Sequence, residues 1–242
     1  MNLNDTFDPS PPRPRHSRVQ PLSIEELEKL LFDDQDATPD QKIQWMWRLA
    51  QSLKSVGMAE MAEQKFRLLL DLVNDLEAKA QIVLALGQMA EQARDYHLAV
   101  SFYRQALSME PADSWTWYYI QNNLGYSLNQ LARYEEGEIY CRRAIATDPK
   151  FPNAHKNLGL ALLGQLRLRE AAACFIEATH ADALDPRATD QLSDLLDQCP
   201  TLRDEFATAL ESCKNEVKQA TLNYLKAMHT RNHRPQHETP VG

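Results

Sequence analysis

His229, His233 and His237 recur at every fourth residue. On a helix that spacing would line up imidazoles on one face and invite a metal ion. Pro235 interrupts any such helix, because it lacks an amide hydrogen and clashes with the preceding turn. The histidines therefore read as part of a polar tail, with no metal site. Cys141, Cys174, Cys199 and Cys213 form no CxxC pair, so zinc is not expected. Three of them fall in predicted helices, where small apolar thiols belong, and reduced thiols suit a reducing compartment. Glu135, Glu136 and Glu138 read as a solvated helix face. There is no phosphate-binding glycine loop, no HExxH, no GxSxG and no EF-hand loop. The expectation is a chain with no catalytic residues and no cofactor.

Charge narrows the partner class. The chain has net charge −8, while each tail carries one net positive charge, so the body is more acidic than the whole. Wide contact with nucleic acid needs Lys and Arg to neutralise phosphates, and is not expected. An acidic body instead fits a soluble, monomer-tolerant surface or a basic partner. No stretch of 18 apolar residues occurs and the N-terminus has no apolar signal core, so the cytoplasm is expected and a membrane is not. The tract Pro9–Arg18 could serve as a polyproline ligand, but a plain disordered tail is the reading.

The elements that would position a site are helices. Apolar residues at 43% and charged residues at 25% are ordinary for a globular chain, so a sizeable core is expected. With only 7 Gly and many Leu, Ala, Glu and Gln, that core should be helical. Residues 1–21, with five prolines, read as a disordered tail. Ser23 and Glu26 have capping-box spacing and open a short helix, Ile24–Phe32. Asp33–Asp40 is an acidic break. Ala188–Gln198 is amphipathic, and Pro200 is expected to end it. Leu202–Met228 reads as a capping helix, continuous or broken, and residues 229–242 as a second disordered tail.

Between those ends the chain repeats itself. Leu86-Gly87, Leu124-Gly125 and Leu158-Gly159 lie 38 and 34 residues apart. Twelve residues beyond each Gly stand Ala99, Gly137 and Ala171, and four further on Tyr103, Cys141 and Phe175. Ala106, Ala144 and Ala178 follow, then Pro111 and Pro149, with Ala183 at the third place. Small residues in this phase let two antiparallel helices approach closely, and large ones fill the space beside them. The prolines stop the second helix. A lone hairpin cannot cover its apolar face, so neighbours must stack.

The pattern resembles the tetratricopeptide repeat (TPR) family. The resemblance implies a right-handed α-α solenoid of helical hairpins with a C-terminal cap. It divides the chain into an N-terminal helix with a degenerate hairpin (22–76), three repeats in 80–185 (80–113, 118–151 and 152–185), capping helices (186–228) and the two tails. Ser114–Trp117 precedes the second repeat as an insertion of about one turn, and extends its first helix.

The resemblance also implies where a partner would sit. Contacts fall at the second, fifth, sixth, ninth, twelfth and thirteenth positions of a repeat. The degenerate hairpin then offers Gln44, Trp47 and Gln51; the first repeat Gln81, Leu84, Gln88 and Gln92; the second Tyr119, Asn122, Asn123, Tyr126 and Asn129; the third Asn153, Lys156, Asn157 and Leu160. Carboxamides donate and accept, so they can pair with an extended backbone. Tyrosines add contact area at low entropy cost. Asn123 and Asn157 share a phase, resembling the asparagine ladder of some peptide-binding members. The cations with which some TPR co-chaperones hold a terminal carboxylate are missing. The expected function is a non-enzymatic interaction module that binds a protein or peptide segment in the groove. The alternative is a self-associating structural protein whose apolar edge makes a homo-oligomer.

Overall fold

The structure is a computed structural model that describes residues 22–232, with side chains for residues 22–228. The expected tail 1–21, with its tract Pro9–Arg18, and His233 and His237 lie outside the described residues. All regular structure among the described residues is α-helical. The chain divides into two compact units, the first ending at Thr147 and the second beginning at Asp148.

In the first unit α1 (Ile24–Asp33) precedes three antiparallel hairpins: α2 (Pro39–Ser55) with α3 (Ala59–Leu72), α4 (Leu76–Gln92) with α5 (Tyr96–Leu107), and α6 (Ser114–Gln130) with α7 (Tyr134–Thr147). Each hairpin packs on the next, and α4 touches α6 directly. α6 begins at Ser114, so the inserted residues are its first turn. The second unit holds the hairpin α8 (Pro152–Gly164) and α9 (Leu168–Ala181), followed by α10 (Arg187–Gln198) and α11 (Pro200–Asn232).

Local chemistry sets the starts. Asp75, Asp95 and Asp113 cap α4, α5 and α6, each accepting the amide hydrogen of the third residue on. The acidic break supplies a cap as well. Thr38 accepts from the Gln41 amide, the Gln41 side chain returns to the Thr38 amide at 2.8 Å, and Pro39 takes the first helical position. Thr38→Ala is expected to destabilise the first unit by about 1 kcal/mol, seen as a lower urea midpoint.

All four hairpins reverse through the same turn. Gly57, Arg94, Ala132 and Leu166 are left-handed, with φ of 81°, 59°, 56° and 61°. In each case the next residue's amide bonds a carbonyl five residues back: Met58 to Leu53, Asp95 to Ala90, Arg133 to Leu128 and Arg167 to Leu162, all at 2.9 Å. This six-to-one bond closes the helix end and satisfies a carbonyl that would otherwise be orphaned.

The core follows the repeat phase. Gly87 lies under the buried Tyr103 ring and Gly159 under Phe175. Gly125 and Gly137 face each other, and a Cβ on either would meet the other's carbonyl oxygen at 3.1 Å. Leu86, Leu124, Leu158, Ala99, Ala106, Ala144, Ala171 and Ala178 are all buried. Pro111 and Pro149 stand just beyond the ends of α5 and α7.

The C-terminal end differs from the sequence reading. Pro200 starts a helix, at the position where its missing amide hydrogen is no loss. α11 is unbroken over 33 residues and continues past Met228 to Asn232, because neither Gly nor a further Pro interrupts it.

Candidate functional site

The first helices of the hairpins in the first unit lie side by side, and their side chains bond across the gap. Lys54 Nζ of α2 donates to Gln88 Oε1 of α4 at 2.7 Å. Gln81 Nε2 of α4 donates to Thr116 Oγ1 of α6 at 3.3 Å, and Ser127 Oγ donates to Glu91 Oε2 at 3.3 Å. The shared face of α4 and α6 is short of charge. α6 contains no Asp, Glu, Lys or Arg at all, while ten of its seventeen residues are buried.

On this face Tyr119, Asn123 and Tyr126 are half-buried. The Tyr119 ring stacks on Trp115 at 5.9 Å and meets Tyr118 edge-on at 5.3 Å. Burial pushes its phenol above the ordinary value. Tyr126 meets Tyr96 of α5 edge-on at 6.2 Å. Its phenol is pushed up to about 12, by burial first, then by its hydrogen bond to Tyr96 and the charges of Tyr96 and Glu91, with Arg94 opposing. Asn123 Oδ1 accepts from Asn122 Nδ2 at 3.0 Å.

The family profile of the tetratricopeptide repeat matches residues 80–113 and 118–151. The chain is a tetratricopeptide repeat protein. It is 29% identical over 105 residues to the small glutamine-rich tetratricopeptide repeat-containing protein 2 of Mycosarcoma maydis, covering 43% of this chain and 29% of that one. The TPR chain spans less than a third of the length of the curated relatives it matches. Among solved structures it resembles BtubC (BKLC) from P. vanneervenii, with a TM-score of 0.61 and 18% identity over 91% of this chain and 92% of that one. It also resembles YrrB, described as a TPR protein with an unusual peptide-binding site, with a TM-score of 0.54 and 18% identity over 87% of this chain and all of that one. At such identities the likeness is one of fold: an α-α solenoid of TPR hairpins.

Within this TPR frame the other marked residues are placed differently. Trp47 is buried and packs edge-on against Phe66 at 5.5 Å. Asn122 and Asn129 are buried in the packing of α6. Gln88 is half-buried and held by Lys54, whose ammonium is pushed below its ordinary value by burial. Asn157 and Lys156 belong to the second unit and are both buried. Lys156 Nζ lies 3.2 Å from Asp185 Oδ2 and 3.1 Å from Asn153 Oδ1. Burial lowers the Lys156 ammonium despite this carboxylate. Asp185 is held far below the usual carboxylate range, chiefly by Arg187 and only secondarily by Lys156. Lys156 thus has its electrostatic partner inside the unit.

The sequence reading missed Glu91. It sits at the twelfth position of the first repeat, half-buried, accepting hydrogen bonds from Tyr103 Oη at 3.0 Å and from Ser127. Among the described residues no group of three or more His, Cys, Asp or Glu is placed to hold a metal ion, and no helix is long and apolar enough to cross a membrane.

Proposed function

We propose that the chain is a non-enzymatic interaction module that holds an extended segment of a partner protein along the α4 and α6 face. The observation that carries the reading is the character of that face: half-buried Tyr119, Asn123 and Tyr126 on a helix without a formal charge. Such side chains pair with peptide backbone and cover it without first shedding tightly bound water. The rigid hairpin array keeps the ordering cost on the protein side small. The peptide-binding site named for YrrB supports the same reading by analogy of fold. Four free cysteines support a reducing, cytoplasmic setting.

The test is capture from lysate by the wild-type chain and by a Tyr119→Ala/Asn123→Ala/Tyr126→Ala variant. Capture should fall at least tenfold with helix content unchanged by circular dichroism. Equal recovery of the same proteins by both chains overturns the reading. Asn157 is left intact, since its burial would confound binding with stability.

The rival reading is self-association. It is favoured by the end of α11, where Leu222, Tyr224, Leu225 and Met228 are 42%, 52%, 56% and 43% exposed. Sedimentation separates the two. A concentration-dependent dimer that survives the three-alanine change supports the rival reading.

A further inference from the structure

We propose that Glu91, flanked by Tyr126 and Tyr96, receives a cationic side chain, an arginine or lysine, of the segment that the α4 and α6 face binds. The inference rests on the reading of that face given above, and adds the chemistry of one contact point to it.

The carboxylates of α4 are two, and they differ in what occupies them. Glu77 is fully engaged: Oε2 accepts the amide hydrogens of Ala112 and Asp113 at 2.7 and 3.2 Å, and Oε1 accepts Gln81 Nε2 at 3.1 Å. It fastens the start of α6. Glu91 is engaged on one oxygen only. The Tyr103 and Ser127 hydroxyls both donate to Oε2, and both side chains are fully buried. They pin the carboxylate from below. Oε1 keeps both its lone pairs, for no described residue donates to it.

Its two donors are neutral, and no Lys or Arg among the described residues forms an ion pair with Glu91. Lys54, one of three cations on the neighbouring first helix α2, is taken by Gln88. Arg94 lies near enough to Tyr126 to act on its phenol, yet does not pair with Glu91. Burial raises the Glu91 carboxyl above its ordinary value, and the two hydroxyls offset this only in part. A half-buried anion without a countercharge is what an incoming cation relieves.

The aromatic pair supplies the rest. Tyr96 and Tyr126 stand edge-to-face at 6.2 Å, both half-buried, and the Glu91 charge reaches the Tyr126 phenol. Tyrosine faces attract ammonium and guanidinium groups. Tyr126 directly precedes Ser127, whose hydroxyl bonds Glu91, so the aromatic pair lies close to the carboxylate. The net charge of −8 draws basic segments toward it.

The test uses the full chain, carbon-13 labelled at Glu and Tyr, titrated with N-acetyl-arginine methylamide. The neutral isostere N-acetyl-citrulline methylamide is the control, and the lysine methylamide a second arm. The Glu91 carboxyl and Tyr126 ring signals should shift saturably with arginine, at least fivefold more weakly with citrulline, and not at all in Glu91→Gln. That variant keeps an oxygen for Tyr103 and Ser127. Tyr126→Leu, which leaves Glu91 in place, should weaken the response severalfold. An equal response to citrulline, an unchanged response in Glu91→Gln, or shifts confined to other carboxylates overturns the proposal. Loss of capture in the three-alanine variant without an arginine-specific shift leaves the face standing and removes the cation from it. Unchanged capture removes both.

Discussion

Phe66→Ala lowers the unfolding free energy of the first unit by about 3–5 kcal/mol, the range for deleting a fully buried aromatic ring. Phe66 is 0% exposed on α3 and meets Trp47 of α2 edge-on at 5.5 Å. Leu49, Ala50, Leu53, Ala62 and Leu69 belong to the same cluster. Truncation removes the ring's transfer free energy and leaves a void that these neighbours cannot close, because they are held by two helices already in contact. The edge-to-face pair adds about 0.5–1.5 kcal/mol beyond area burial. The measurement is urea unfolding followed by far-ultraviolet circular dichroism. A loss under about 1 kcal/mol would mean that Trp47 swings into the gap and that this hairpin is softer than its packing indicates.

The second large effect is Gly125→Ala, expected to destabilise by about 2–3 kcal/mol, toward the upper end for overpacking. The new methyl would sit 2.5 Å from Cys141 Sγ, 3.1 Å from the Gly137 carbonyl oxygen and 3.2 Å from the Cys141 amide nitrogen. The sulfur can be trimmed, while the two backbone atoms cannot move without shifting α7. Adding Cys141→Ala should therefore recover only part of the loss. A double-mutant cycle in urea measures the difference, and full recovery would show that α6 and α7 have room to part.

The repeat architecture was legible because small residues in phase have one strong physical cause, the approach of two backbones. Gly125 and Gly137 mark such an approach, while Gly87 and Gly159 make room for the rings of Tyr103 and Phe175. The left-handed turns were not legible. Only Gly57 is a glycine, and Arg94, Ala132 and Leu166 bear no mark of their backbone state. Nor was the end of α11, since the spacing of polar residues near His229 suggests a tail while the backbone simply lacks a stop signal.

The candidate site was half legible. Repeat phase marks Tyr119, Asn123 and Tyr126, which are half-buried on one face. It marks Asn122, Asn129 and Asn157 equally, although neighbouring side chains bury them. Phase fixes a residue's direction from its helix, and the bulk of its neighbours fixes whether water still reaches it. Glu91 stands at a marked position too. Its meaning depends on Tyr103 and Ser127, 12 and 36 residues away, which only the folded chain brings to it.

The shared turn has a further consequence. Four hairpins bend through one hydrogen-bond scheme with four different residues at the bend, so side-chain identity there is free to vary. Leu166, 80% exposed, is an open position for grafting a label or a short loop between α8 and α9. Glycine there would also relieve the left-handed strain of about 1–2 kcal/mol, at some cost in chain entropy. The bend can thus serve as an attachment point within the second unit.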